Sequence, residues 1–307
     1  MSRFIVTMMA ASLFLSALLA GCGGGGSGGS SGPVYNGSTT QAIVTTSNAK
    51  ALSVDAYYGS QLSSAVSGVA KEIADGSGHS ALLQQAAGIL ESSVAMILGS
   101  PKSSAKVVAG TAQNSINGFS GSFSYSINYD QVTGAFNGTV SFSQYKETDT
   151  SATISGPIAF SGVYNQSSGS FTSLNISMSD LNGASGSKSY SLAGNLAYST
   201  SSGTKNVTMS VVLSDNVASR TYWVKDFNLT LVGSSLSITG TYYDHVHGYV
   251  VVSTDTPLTV ASIDAVPAAG RLLFTGGNNT KARLTFGSGS YAVEADTTGN
   301  GTYVVVP

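Results

Sequence analysis

From residue 119 to residue 252, apolar and small polar residues alternate position by position, and no other feature constrains the fold as strongly. Successive side chains of an extended strand point to opposite faces, so this period of two predicts strands with one buried face and one wet face. We therefore predict a half-buried antiparallel sheet whose inward-facing residues are Phe119, Phe123, Tyr125, Ile127, Tyr129, Phe136, Val140, Phe142, Ile154, Ile158, Phe160, Tyr164, Tyr190, Leu192, Leu196, Tyr198, Val207, Met209, Val211, Leu213, Trp223, Phe227, Leu229, Leu231, Leu236, Ile238 and Tyr242. Residues 249–252 lack the alternation and are predicted to be buried on both faces or central in the sheet.

A hairpin unit recurs within this stretch. Residues 129–136, Tyr-Asp-Gln-Val-Thr-Gly-Ala-Phe, return as residues 164–171, Tyr-Asn-Gln-Ser-Ser-Gly-Ser-Phe, and more loosely at 198–203. In each loop the Gly can take the positive φ that closes a hairpin with a bulge, and Asp130 or Asn165 can accept hydrogen bonds from its own turn. The repeat predicts an up-and-down meander in place of a parallel β-helix.

The N-terminus has the three parts of a secretion signal. Arg3 supplies a positive charge, residues 4–19 are apolar but too few for a confident membrane span, and Leu-Ala-Gly-Cys at residues 19–22 follows. These four residues resemble the lipobox of bacterial lipoproteins, which implies that Cys22 is diacylated and becomes the mature N-terminus. By the same resemblance Gly23 implies the outer membrane of the cell envelope. The alternative is an ordinary signal peptide with an incidental Cys.

Two segments of different composition lie between this signal and the predicted sheet. Residues 23–46 are mainly Gly, Ser and Thr, which predicts a flexible tether. Residues 47–110 are rich in Ala and Leu, which favours helix. Ser47 can cap a short helix that ends near Tyr58, with Gly59 just beyond it, and residues 61–73 are ambiguous. A longer helix is predicted at residues 80–98, where the apolar stripe consists of Leu83, Ala87, Leu90, Val94 and Ile97, widened by Leu82, Ala86, Ile89 and Met96.

After residue 257 the apolar segments become shorter. Residues 271–275, 281–286, 291–295 and 303–306 predict four short strands, with Asn300-Gly301 as a type I′ turn before the last one. The predicted fold class is mainly β: a large curved antiparallel meander over residues 111–256, as an open sheet or partial barrel, packed on one or two N-terminal α-helices. Residues 257–307 are predicted as a small C-terminal β subdomain, separate from the main sheet or continuous with it.

A resemblance extends beyond the lipobox. The order of elements, the hairpin at 129–136, and residues 248–258, 275–284 and 295–303 are similar to a group of uncharacterised envelope lipoproteins from Gram-negative bacteria. The similarity covers most of the mature chain. It implies a shared fold but supplies no activity.

Two short segments invite a metal-binding interpretation. His245-Val-His247 would place two imidazoles on one face of a strand, but no third ligand is evident and a hairpin loop explains the segment as well. Residues 296–301, Asp-Thr-Thr-Gly-Asn-Gly, resemble the first half of a calcium loop that lacks its final Glu. We therefore predict no metal, no other cofactor and no catalytic residues, so the chain is not predicted to be an enzyme.

Charge limits the classes of partner. The formal net charge is −2 and 9% of the residues are charged, which with no basic stripe excludes nucleic acid. The first functional hypothesis is a carrier that shelters a lipid or another apolar ligand between sheet and helix. The second is a structural or surface-interaction lipoprotein, with a solid core and a Ser/Thr/Asn face that meets a glycan or an envelope protein. The residues predicted to line the carrier's interior are Phe160, Tyr190, Trp223 and Leu229.

Overall fold

Fourteen strands pair in sequence order in the computed structural model, which describes residues 32–62, 78–98, 109–261, 266–287 and 289–307. The pairings between these strands are all antiparallel, and β1 and β14 are the two edges of an open sheet. The predicted meander is therefore confirmed. The strands are β1 Ala109–Asn117, β2 Ser120–Asp130, β3 Ala135–Lys146, β4 Thr153–Asn165, β5 Ser170–Ser185, β6 Lys188–Ser201, β7 Thr204–Asp215, β8 Arg220–Val232, β9 Ser235–Asp244, β10 Gly248–Thr259, β11 Ala269–Thr275, β12 Lys281–Gly287, β13 Ser290–Asp296 and β14 Val304–Val306.

The helices cover one face of this sheet, as predicted. A π-helical turn, Ala51–Asp55, runs into α1, Ala56–Ser60, and α2 spans Gly78–Leu98. Helix α2 packs on β4, β5 and β6, α1 packs on β8 and β9, and the π-turn contacts β12. Gly59 lies inside α1 and not beyond its end. A Cβ there would lie 2.9 Å from Cγ2 of Val224, so the missing side chain allows α1 to approach β8 closely. The ambiguous residues 61–73 lie almost entirely outside the described residues.

Helix α2 buries the stripe that its periodicity predicts. Leu83, Leu90 and Val94 are at most 1% exposed, and they join the same core as the inward rows of the strands. The predicted widening of the stripe is wrong at Met96, which is 61% exposed. The sheet therefore covers one side of α2 and leaves the other side in solvent. We call the helix-covered face of the sheet the inner face and its opposite the outer face.

The repeated hairpins close as the repeat predicts. Asp130 Oδ1 accepts the backbone N–H of Val132 at 2.7 Å, and Gly134 has a φ of 71°. Asn165 and Gly169 reproduce this geometry, with a Ser167 N–H bond of 2.9 Å and a φ of 65°. The side chain thus satisfies turn N–H groups that no strand pairs.

Two bulges overturn the predicted parity of individual aromatic residues. Gly121, with a φ of 61°, shifts the register between β2 and β3, and Phe119 lies outside β2 and is 66% exposed. Asp226, with a φ of 51°, lies in a bulge between Val224 and Phe227, where β8 has one more residue than the facing part of β7. Because a bulge reverses the side-chain alternation, Phe227 faces inward while Trp223 faces outward.

The C-terminal strands continue the main sheet. Strand β11 pairs with β10, and β12, β13 and β14 follow in order. Of the two alternatives predicted for residues 249–252, double burial is wrong, because Val251 is 43% exposed between two buried valines, while β10 does lie inside the sheet between β9 and β11. The two-residue turn predicted at Asn300-Gly301 is also wrong. Strand β13 pairs with β14 at Ala295 and Val304, which leaves a longer loop between them.

Part of the predicted tether is packed against the sheet. Residues 32–46, here called the N-terminal segment, begin over β5 and β6 at Gly32 and then cross the ends of β8 to β12. Gln41 forms a parallel bridge to Tyr249, and Ala42 and Val44 are at most 2% exposed. The tether prediction therefore fails for this part, while the predicted signal peptide, Cys22 and residues 23–31 lie outside the described residues.

Candidate functional site

The four residues predicted to line an apolar interior do not lie together. Phe160 on β4 and Leu229 on β8 are buried in the core on the inner face, and Tyr190 on β6 is half-buried. Trp223 lies on the outer face beyond the Asp226 bulge, so its assignment to the interior is wrong. These four residues therefore do not line a single binding site.

A groove of about 680 Å³ lies instead on the outer face, across the middle of β4 to β8. Two parallel rows of outward side chains flank it, and each row takes one residue from each of the five strands. The first row is Ala159, Ser177, Asn195, Ser210 and Asp226, and the second is Ser161, Asn175, Ala197, Thr208 and Asn228. Between the rows run the inward-facing positions Phe160, Ile176, Leu196, Met209 and Phe227.

The floor of the groove follows from this alternation. Residues between the two rows direct their side chains to the inner face, where all five are at most 5% exposed, so they border the groove through their backbone. The flanking side chains are small or of medium size. The outward positions of both rows carry no large side chain, which leaves an open trough across the strands.

The groove presents amides and hydroxyls. Asn175, Asn195 and Asn228 each carry a carbonyl acceptor and an NH₂ donor, and all three are exposed. The Nδ2 of Asn175 lies 3.5 Å from Oγ of Ser161, which is a long contact that a ligand can replace. Among the residues that line the groove, Asp226 alone is charged. The surface therefore suits a neutral, hydrogen-bonding ligand.

The bulge fixes the position of Asp226 at the end of its row. Its backbone N–H donates to Oγ of Ser210 at 2.9 Å, and the Ser210 hydroxyl donates to Asp226 Oδ1 at 3.1 Å. Asp tolerates a left-handed backbone better than most residues, and bulges commonly redirect side chains beside binding sites. The structure thus holds one carboxylate at the rim.

An aromatic cluster adjoins the groove on the outer face. Trp223 stacks on Tyr243 with ring centroids 5.0 Å apart, and Tyr243 lies 5.1 Å from Tyr249. Tyr35 of the N-terminal segment packs on Trp223 and Tyr243, and its hydroxyl donates to the Asp244 carbonyl at 2.9 Å. The cluster's evident role is to hold the N-terminal segment on the sheet.

The two histidines lie in a hairpin loop. Residues 245–247 connect β9 to β10, and Asp244 Oδ1 accepts the backbone N–H groups of Val246 and His247 at 2.9 and 2.8 Å. His245 Nδ1 accepts the N–H of Thr221 at 3.3 Å. Within the residues described, no group of three or more His, Cys, Asp or Glu side chains is arranged to hold a metal ion.

Asp296 directs its carboxylate toward its own loop. Its oxygens accept the backbone N–H groups of Gly299 and Gly301 at 2.8 Å each, and of Thr298 and Asn300 at longer distances. Burial alone would raise the pKa of Asp296, but these hydrogen bonds lower it below its ordinary value. A carboxylate bound in this way organises a turn, which replaces the calcium-loop interpretation.

Asp55 carries a perturbed carboxyl group at the end of the π-turn. Partial burial, and then the nearby Asp244 carboxylate, raise its pKa from 3.8 to about 6. An acid whose pKa is higher in the folded chain favours folding most below its unfolded pKa, and this stability is lost as the pH rises through about 6. The protein should therefore lose stability between pH 4 and pH 7 through this group.

We expect Asp55→Asn to raise the stability at pH 7.5 and to flatten its pH dependence between pH 4 and 7. Because Asp55 keeps an exposed side, the gain should be only about 1 kcal/mol. Thermal melts at several pH values test this. Asp149→Asn, an exposed carboxylate in the β3–β4 loop, is the control, and an equal gain in both variants would contradict the assignment.

Comparison with known proteins supplies no further guide. No family model, curated protein or solved structure matches this chain. The resemblance to envelope lipoproteins therefore stays a prediction. In the described part of the chain, none of the helices combines the length and the hydropathy that a membrane crossing requires.

Proposed function

We propose that this protein is a lipid-anchored protein of the cell envelope that binds a neutral, hydroxyl-rich ligand, a glycan, in the groove on its outer face. The observation that carries the proposal is the lining of the groove by amide and hydroxyl side chains around a single carboxylate. Cys22 would supply the anchor, and the outer membrane is the proposed address. This is the surface-interaction hypothesis of the sequence, now with a defined site.

Sugar hydroxyls both donate and accept hydrogen bonds, and so do the Asn side chains of the groove. Phosphate and nucleic acid need Lys, Arg or helix N-termini, and none of the residues that line the groove is cationic. The groove crosses five strands, which at a spacing of about 4.8 Å gives a length of roughly 19 Å. That length accommodates an oligosaccharide better than a single sugar.

We propose binding without catalysis. Glycoside hydrolysis ordinarily needs two carboxyl groups on opposite sides of the scissile bond, about 5 to 9 Å apart. The groove lining includes Asp226 and no second carboxyl group. The apolar carrier is left as the alternative, and the apolar residues in the lining of the same groove are the feature that favours it.

Asn175→Ala combined with Asn195→Ala is expected to weaken glycan binding by about 10- to 100-fold, because each amide loses hydrogen bonds worth about 1 kcal/mol. A glycan array of envelope and host-surface sugars identifies a ligand, and calorimetry with the soluble oligomer then measures affinity. Trp223, the one Trp of the chain, gives an independent fluorescence signal three residues from Asp226.

The matched control is Asn128→Ala combined with Asn137→Ala. These are also exposed Asn residues of the outer face, on β2 and β3, but they lie outside the groove. Binding should be unchanged in this double variant. Absence of binding across the array, or an equal loss in both double variants, would refute the groove as a glycan site.

A further inference from the structure

Strand β1 is an edge strand without the usual protection. Among the described residues it pairs with β2 alone, so the side of its backbone away from β2 is paired with no other described strand, and one backbone group of β1, the Ser115 N–H, donates to the Oδ1 of its neighbour Asn114 at 2.9 Å. Edge strands usually avoid association through Lys, Pro, bulges or short length. Strand β1 has nine residues, Ala-Gly-Thr-Ala-Gln-Asn-Ser-Ile-Asn, with no charge and no Pro, and its register with β2 is continuous.

The opposite edge differs. Strand β14 has three residues, Val304–Val306, and Pro307, which has no backbone N–H, follows it. A three-residue strand offers too few hydrogen bonds to hold a partner by itself. The two edges are therefore unequal, and a chain of copies joined from β1 to β14 would pair a long edge with a short one.

We propose that two copies of this chain associate through β1, antiparallel and related by a twofold axis, with Gln113 opposite Gln113 of the second copy. An antiparallel pair of identical strands is self-complementary, and a twofold interface closes at a dimer. This proposal concerns an edge far from the groove and does not rest on the proposed glycan binding.

The register follows from the length of β1. Centring the pair on Gln113 matches Ala109 with Asn117 and Thr111 with Ser115, so that all nine residues are paired. Any shift that keeps outer-face residues opposite outer-face residues moves the register by two and shortens the ladder. The central register is thus the one with the most backbone hydrogen bonds.

The side chains of β1 suit this pairing on both faces. On the outer face, the Thr111 hydroxyl donates to Asn128 Oδ1 at 2.7 Å and Gln113 Nε2 donates to Ser126 Oγ at 3.1 Å, so a polar ladder already reaches the edge. On the inner face Ile116 is half-buried and would meet the small Gly110 of the second copy. Because β1 has no charged residue, no like charges meet across the axis.

The symmetry also fits attachment of both copies to one surface. A twofold axis between antiparallel strands of a continuous sheet is normal to the sheet, so the outer faces of both copies point the same way. Gly32 lies on that face, where a side chain would collide with the Ser179 carbonyl. The N-terminal segments of both copies therefore approach from one side.

The mass of the full-length protein in detergent can be measured by light scattering that separates the protein mass from the detergent mass. We expect the wild type to have twice the mass of one chain at micromolar concentration. Gln113→Lys and Gln113→Glu should each dissociate to monomers, with the dimer dissociation constant raised at least about 10-fold, because like charges then face each other at the axis. An equimolar mixture of the two variants should restore the dimer.

Thr139→Lys is the control, because Thr139 lies in the same outer row as Gln113 but on β3, two strands from the edge. It should leave the dimer intact. A monomeric wild type, dimers that survive both Gln113 variants, a mixture that stays monomeric, or dissociation by Val305→Lys on β14 would each overturn the proposal. Unchanged circular dichroism establishes that the variants are folded.

Discussion

Leu90→Asp is expected to unfold the helix-covered sheet at room temperature. Leu90 lies at the middle of α2, is 1% exposed, and belongs to the core that α2 forms with β4, β5 and β6. The substitution removes a buried isobutyl group and puts an unpaired carboxylate in its place. Together these cost several kcal/mol, which is a large part of the 5–15 kcal/mol that stabilises an ordinary domain.

Met96→Asp is the matched control on the same helix. Met96 is 61% exposed, so a carboxylate there remains in water and should change the melting temperature little. Circular dichroism and thermal melts of the two variants make the comparison. A folded Leu90→Asp protein with a near-native Tm would show that α2 is dispensable to the sheet.

The alternation of apolar residues predicted most of the fold because the physical rule is local. Side chains with period two must lie on one face of a strand, and residues such as Ile127, Ile158 and Leu229 are buried accordingly. Apolar residues spaced three to four positions apart located the helix that contains Leu90 by an equally local rule. Pairing of neighbouring strands then follows from short hairpin loops.

The same rule failed where the backbone inserts an extra residue. Asp226 takes a left-handed conformation, which reverses the alternation between Trp223 and Phe227, yet the apolar spacing on either side reads as one uninterrupted strand. Asp is only a weak signal for such a bulge. An interior role for Trp223 was therefore the natural prediction from sequence and an incorrect one.

The groove could not be predicted from the sequence, although each of its rows could. The positions of Asn175, Asn195 and Asn228 on the outer face follow from alternation alone. That they line one trough depends on the registers between five strands, which no local pattern encodes. Exposed Asn residues are common, so composition gave no signal.

Glycine misled the prediction for the N-terminal segment. A stretch of Gly, Ser and Thr has the composition of a flexible linker. Here a side chain at Gly37 would collide with the backbone of His245, and Gly32 is equally confined against Ser179. These glycines permit close approach to the sheet, a requirement that composition cannot distinguish from flexibility.

Cys22→Ser is expected to move the protein completely from the membrane fraction to the soluble fraction. The lipobox-like residues 19–22 imply that Cys22 carries acyl chains on its sulfur, and each buried CH₂ of such a chain contributes about 0.8 kcal/mol to membrane binding. A Ser hydroxyl at this position removes the thiol that the acylation requires. Mass spectrometry of the N-terminal peptide should show the acyl mass in the wild type alone.

The length of the connection makes this prediction sharper. The described fold begins at Gly32, so nine residues separate it from Cys22, and an extended chain of that length spans roughly 30 Å. Ser27→Ala, within the same connection, is the control and should stay in the membrane fraction. Membrane association of Cys22→Ser that resists a salt wash would disprove the lipid anchor.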